Sequence, residues 1–311
     1  MRDKLYTLGI LAGAAILLVV GRHLLQQPAL LAFGLTFGGT MAAGALGIAL
    51  YRVQLELRAS RQELAMKEAE LNFALEVQKS LFPREFPRDC GLEFSGICIP
   101  ARGISGDYYD VLPLTDGRLA FAIADISGKG ISAAILMSNL HAVLRTLAAS
   151  GRAPDEIASR LNVHLHQVTE GSRFATIFYT EWDRTEQRLS YINAGHCAPI
   201  LVGSNGVQRL RPGTPPLGLF LDSEFNVEQA QMHPGDLLVL FSDGVTEAGT
   251  DKGQEFGDAQ LEALVAAHAG KPLPELQQHV FDTVDRWAGN ELGDDLTILL
   301  VRATEARKEM S

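Results

Sequence analysis

Long uncharged runs and short alternating ones divide this chain into two territories. Leu5–Val20 and Pro28–Tyr51 contain no charged residue. Crossing a bilayer takes ~20 residues; the second run meets this outright, and the first reaches it with its flanks. Arg2 and Lys4 would also suit the basic start of a signal peptide, but no small-x-small cleavage site follows promptly. With a second run behind it, the better expectation is a two-helix transmembrane hairpin over residues 1–51. Arg2 and Lys4 precede the hairpin and Arg52, Arg58 and Arg61 follow it, whereas the connecting loop holds Arg22 as its one arginine. The excess of basic residues at the ends predicts that both face the cytoplasm.

Beyond the hairpin the pattern changes period. Residues 52–82 lack proline and glycine and are rich in Glu, Leu, Ala, Gln and Arg, which predicts a linker helix over 52–83 that Pro83 ends. Leu57, Leu64, Leu71 and Gln78 recur every seventh residue, with Arg61, Glu68, Leu75 and Phe82 between them. Such a half-polar seam suits a weak coiled coil in a homodimer, or a helix packed on its own domain. From Gly91 onward, strands are expected at Leu92–Ile99, Arg118–Ala124, Leu237–Phe241 and Leu296–Arg302. Hairpins are expected at Arg173–Trp182 with Arg188–Asn193, and at Pro199–Val202 with Val207–Leu210. Apolar positions with helical spacing predict helices at Ile131–Ala149, Pro154–Val168, Ala259–His268 and Leu273–Ala288. Hairpin strands with helices inserted in pairs indicate an α+β domain of antiparallel sheets, here over residues 84–303 with a tail at 304–311.

Composition narrows the chemistry. The 311 residues carry a formal charge of −10, which argues against a nucleic-acid-binding surface. Cys90, Cys98 and Cys197 are odd in number and lack CxxC spacing, so they read as free packing thiols in a reducing compartment. The acidic excess has a pattern of its own. Aspartates stand beside glycines in Gly106-Asp107-Tyr108-Tyr109-Asp110, Ala124-Asp125-Ile126-Ser127-Gly128, Ser242-Asp243-Gly244 and Gly293-Asp294-Asp295, and two of these stretches follow the buried-strand runs Leu119–Ala124 and Leu237–Phe241. Carboxylates held at the ends of buried strands repel one another unless a cation lies between them, and hard oxygen ligands suit Mg²⁺ or Mn²⁺. The pattern points to a metal-dependent enzyme acting on phosphate.

The ordered motifs GDYYD (106–110), ADISGKG (124–130), LN (161–162), FAT (174–176), NAGH (193–196), SDGVTEA (242–248) and DDLT (294–297) resemble those of the SpoIIE/RsbU-like bacterial branch of the PPM metal-dependent protein serine/threonine phosphatases. The likeness runs from about Leu75 to Arg302. It implies a PPM-like antiparallel β-sandwich flanked by helices, with a centre of two Mn²⁺ or Mg²⁺ ions at one end. Within that resemblance Asp125 corresponds to the carboxylate bridging both metals. The carbonyl of Ile126 and Asp107, with Asp110 as a competitor, correspond to ligands of one ion, and Asp243 and Asp294 to ligands of the other. Asp295 corresponds to a supporting position. Arg102 stands where the branch often carries a phosphate-holding arginine; it also fits an ordinary surface residue. Ser127 replaces the histidine that many PPM enzymes use as general acid. His196 is the histidine that could act instead, or could simply close a turn. The segment Ala74–Pro83 resembles a helical element by which the family places its metal ligands.

The uncharged runs taken with the resemblance predict a phosphatase anchored in the bacterial cytoplasmic membrane by more than one span. Its catalytic domain would face the cytoplasm and hydrolyse phosphoserine or phosphothreonine on a STAS-domain regulator of the anti-anti-sigma kind, with water activated by two metals. The alternatives are a catalytically silent PPM-fold binding module and a phosphatase for a small metabolite. The first would be favoured by loss of a metal carboxylate, the second by a deep enclosed pocket.

Overall fold

The computed structural model describes residues 12–17, 19–22, 28–101, 103–115, 117–250, 253–289 and 292–305. The chain divides into two compact units, Met1–Ala69 and Glu70–Ser311. In the first, residues 12–17 and 19–22 are helical, while the rest of the first apolar run and its loop at 23–27 lie outside the described residues. The second run and the linker were expected as separate elements. They form one unbroken helix, α1 (Pro28–Lys79). Proline at its first position needs no amide partner, and after Gly47 neither glycine nor proline interrupts it. It stops at Lys79, ahead of Pro83. From Leu31 it carries a stretch apolar enough to cross a membrane, and none of that stretch is covered by protein.

The second unit is built in four layers. One sheet has the order β1-β10-β9-β6-β7, from strands Leu92–Ile99 (β1), Ile200–Gly203 (β6), Gly206–Arg209 (β7), Leu237–Phe241 (β9) and Leu296–Ala303 (β10). The other has the order β2-β3-β4-β5-β8, from Asp107–Pro113 (β2), Leu119–Ile126 (β3), Ala175–Asp183 (β4), Arg188–Ala194 (β5) and Glu228–Gln231 (β8). Every pairing between these strands is antiparallel.

Alternation along each strand sorts side chains between layers. Tyr109, Val111, Phe121, Ile123, Phe178, Leu240 and Leu299 fill the space between the sheets. The opposite face of the second sheet (Tyr108, Ala120, Ala122, Ala124, Tyr179) packs on helices α2 (Ile131–Ala148) and α3 (Pro154–Thr169). The first sheet's outer face (Val239, Phe241, Ile298, Leu300) packs on α5 (Asp258–His268) and α6 (Leu273–Ala288); α4 is the single turn Asp243–Thr246. Phe121, Phe178 and Tyr179 are essentially out of solvent, and burying each such ring contributes about 2 kcal/mol. Ile131–Ala148 is also apolar enough to span a membrane, yet its inner face belongs to this core.

The two sheets, the flanking helices and most boundaries match the sequence expectation. Strands β2 and β8 and the turn α4 were not anticipated. The sequence reading placed no strand at GDYYD, but Asp107 opens β2 and Asp110 lies within it.

Candidate metal and phosphate site

Strand register brings the first two carboxylates together. Asp107 and Asp125 are direct cross-strand partners at the ends of β2 and β3. The alternation that turns Tyr109 and Ile123 into the space between the sheets turns Asp107 and Asp125 there as well. The other sheet delivers its carboxylates at the same end. Ser242 closes β9 just before Asp243, and Asp294 and Asp295 lead into β10, the two segments being joined by Ser242 N–H to the Thr297 carbonyl (3.0 Å) and Thr297 N–H to the Ser242 hydroxyl (3.0 Å). Gly244 is required there, because a Cβ on it would lie 2.1 Å from the Asp295 carbonyl oxygen.

The electrostatics record the crowding. Burial, then Asp243, Asp294 and Asp295, push the Asp125 carboxyl up from 3.8 to about 7. Burial and then Asp125 hold Asp107 well above the usual carboxylate range, and burial followed by Asp294 raises Asp243. Asp107 is 2% exposed, and its Oδ2 has no hydrogen-bond partner. Among the described residues no three His, Cys, Asp or Glu side chains close into a group that could hold a metal ion as they stand. Mutual repulsion of like charges opposes such closure. An all-carboxylate donor set with an orphaned buried oxygen fits hard divalent cations. Asp107, Asp125, Asp243 and Asp294 would hold them, with the Ile126 carbonyl alongside Gly106, whose added Cβ would lie 3.2 Å from that oxygen.

Asp110 is on the other face of β2. Arg145 of α2 grips it through Nε (2.7 Å) and Nη2 (2.8 Å), and the Tyr108 hydroxyl donates to it at 2.7 Å. It is a buried ion-pair anchor between sheet and helix, apart from the converging carboxylates. Asp295 braces the site: its Oδ1 accepts the Ala101 N–H and its Oδ2 the Gly106 N–H, both at 2.9 Å. That clamps the loop leading to Asp107. Arg102, in this loop, lies outside the described residues.

His196 is 2% exposed, its Nδ1 lies 2.8 Å from the Thr176 hydroxyl, and its backbone N–H donates to the Asn193 side chain. Burial lowers it to about 4, so it is a neutral, enclosed imidazole. Thr176 is the register partner of Asp125 on β4.

The sequence reading assigned no role to Lys129, and for the helix end at Ala74–Pro83 it named no contact. Lys129 pairs with Asp294 at 2.7 Å. Gln78, near the end of α1, donates through Nε2 to the Ser105 carbonyl (2.7 Å) and accepts the Ser105 N–H at Oε1 (2.9 Å), while the Ser105 hydroxyl accepts the Asp107 N–H (2.9 Å). Its signals in the sequence were a glutamine on an otherwise leucine seam and the likeness of Ala74–Pro83 to a ligand-placing helical element. The recess beside Lys129, Asp294 and Asp295 is small, ≈ 10 Å³.

The family model of Stage II sporulation protein E (SpoIIE) matches residues 115–304. The chain is 30% identical over 254 residues to the phosphoserine phosphatase RsbU of Bacillus subtilis (strain 168), covering 81% of this chain and 74% of RsbU. The solved structure of the RsbU and RsbW domains of Rv1364c from Mycobacterium tuberculosis superposes with a TM-score of 0.59 at 27% identity, over 69% of this chain and 60% of that one. The SiaA-PP2C domain of Pseudomonas aeruginosa shares the fold with a TM-score of 0.67 at 21% identity, over 76% of this chain and 98% of that domain. Motif order, the two-sheet sandwich and these matches agree: the chain belongs to the SpoIIE family of PPM-type serine/threonine phosphatases.

Proposed function

We propose that this phosphatase is membrane-anchored, uses two Mn²⁺ or Mg²⁺ ions, and removes phosphate from serine or threonine of a STAS-domain regulatory protein. The observation that carries the metal reading is the facing of Asp107 and Asp125 on one sheet with Asp243 and Asp294 on the other, close enough to raise Asp125 to about 7. When bound, such ions lower the pKa of a shared water and neutralise phosphoryl oxygens during in-line displacement. The protein's own part is to hold the carboxylates in place. Asp295 fixes the 101–106 loop, Ser105 positions Asp107 through its backbone N–H, and Gly244 lets α4 approach β10. In this reading Arg102 binds phosphate from the same loop, a bidentate task suited to guanidinium.

Membership of a family of PPM-type serine/threonine phosphatases supports a protein substrate over a small metabolite. The set of aspartates, complete at each expected position, speaks against a silent binding module. The full-length chain in detergent should release phosphate from a phosphorylated STAS-domain protein with Mn²⁺ present and stop in EDTA. Undiminished turnover in chelator would sink the metal reading. Hydrolysis of an aryl phosphate without any activity on phosphoprotein panels would sink the substrate assignment.

A further inference from the structure

Carboxylates drawn this close need positive charge, and the chain carries some of its own. Lys129 stands in the turn between β3 and α2, flanked by Gly128 (φ 102°) and Gly130 (φ 75°), conformations that favour glycine. The turn is pinned from β4. Arg173 donates to the Ser127 carbonyl at 2.8 Å, the Ser127 N–H donates to the Phe174 carbonyl at 2.9 Å, and the Phe174 N–H donates to the Ser127 hydroxyl at 2.9 Å. A Cβ on Gly128 would fall 1.8 Å from Arg173 Nη1, so the clamp requires glycine there. Lys129 therefore has a fixed backbone and a half-exposed side chain. From the sheet that bears Asp125 it reaches across to the other sheet's approach loop. There Nζ lies 2.7 Å from Asp294 Oδ2 and donates to the Gly293 carbonyl at 3.2 Å.

We propose that Lys129 is a counter-cation built into the site, which holds Asp294 while no divalent ion is bound and grips the substrate's phosphoryl oxygens once a metal takes that carboxylate. The inference rests on the two-metal reading above. An ammonium and a divalent cation repel each other at close range, so metal at Asp294 displaces the lysine head. The turn keeps its stem at the site's rim, within reach of an incoming ligand. An incoming phosphate brings concentrated negative charge to that rim, and a lysine ammonium serves it as a compact point charge. The same residue thus opposes metal binding and favours substrate binding, a combination that a merely structural lysine would not show.

The test uses the full-length chain in detergent, with Mn²⁺ alone and then inorganic phosphate as probes. Titrating metal-free protein by calorimetry, Lys129→Met should bind Mn²⁺ about fivefold more tightly than wild type, the size expected for removing one exposed ion pair. At saturating Mn²⁺, inorganic phosphate should inhibit Lys129→Met about tenfold more weakly, and KM should rise more than kcat falls. Lys129→Arg should keep phosphate inhibition near wild type. Lys129→Gln provides the same readouts if the methionine variant does not fold by circular dichroism. Mn²⁺ affinity equal to or below wild type, or unchanged phosphate inhibition, overturns the proposal. Wild-type protein that binds no Mn²⁺ overturns the metal reading and this inference together. Normal wild-type binding with unaltered variants overturns this inference alone.

Discussion

Asp125 sits on the strand face that buries Phe121 and Ile123, and that placement sets both its use and its cost. A carboxyl whose folded value stands at about 7 against an ordinary 3.8 binds its proton more tightly folded than unfolded. In EDTA, therefore, stability should be full below about pH 4 as far as this group is concerned, and should fall as pH rises toward 7, because the native state holds the extra proton across that window. Thermal unfolding in EDTA should show a decline in Tm between about pH 4 and 7 that is smaller in Asp125→Asn; an identical decline in both would refute the assignment. With Mn²⁺ the same variant should lose nearly all turnover and bind metal weakly while keeping its fold. Asp110 gives the contrasting case. Its charge is buried and held by Arg145, so Arg145→Met should cost about 3 kcal/mol in urea unfolding and leave Mn²⁺ affinity unchanged. Weakened Mn²⁺ binding in that variant would return Asp110 to the ligand set. The family resemblance implied a ligand within GDYYD but left Asp107 and Asp110 competing. A spacing of three puts two residues on opposite faces of a strand, and the choice became readable only once β2 was seen to be a strand.

The strands most legible in the sequence were those buried on both faces, such as Leu237–Phe241, whose continuous apolar runs match observed boundaries. Those missed lack that signal. β2 begins with aspartate and ends with proline, residues depleted in strands, and Glu228–Gln231 is a polar edge strand with three exposed positions. The linker was legible as helix by composition and its end as a ligand-placing element by resemblance, but the residue that makes the contact was not. Gln78 satisfies both backbone groups of buried Ser105, and leaving either unpaired costs about 1–3 kcal/mol. Since Ser105 in turn holds the Asp107 N–H, Gln78→Leu should weaken Mn²⁺ binding, so that activity drops about tenfold at limiting metal and recovers substantially at saturating metal. A loss equal at both metal concentrations would mean that Gln78 supports the fold alone. The end of α1 is thereby an input to the metal site as well as a wall of the domain.

Across the whole chain, an acidic catalytic unit follows an apolar leader. The net charge of −10 sits in a protein whose first 51 residues hold only a few basic side chains and one acid. That acid-poor leader and the long apolar stretch of α1 from Leu31, uncovered by protein, agree with insertion in a membrane. Arg52, Arg58 and Arg61 on α1 then weigh against Arg22 between the two apolar runs. Translocating a basic flank is disfavoured, so the flank richer in arginine stays inside. The proposed substrate requires the same orientation, because a phosphorylated regulator of transcription is reached only from the cytoplasm. A phosphatase reporter fused after Ser311 should accordingly be inactive in intact cells and one inserted at Gln26 active, with the reverse pattern for a cytoplasmic reporter. The full chain should fractionate with membranes and resist extraction by carbonate. A C-terminal reporter that reads as periplasmic would overturn the orientation and remove the substrate class with it, while a carbonate-soluble chain would show that the leader does not span a bilayer at all.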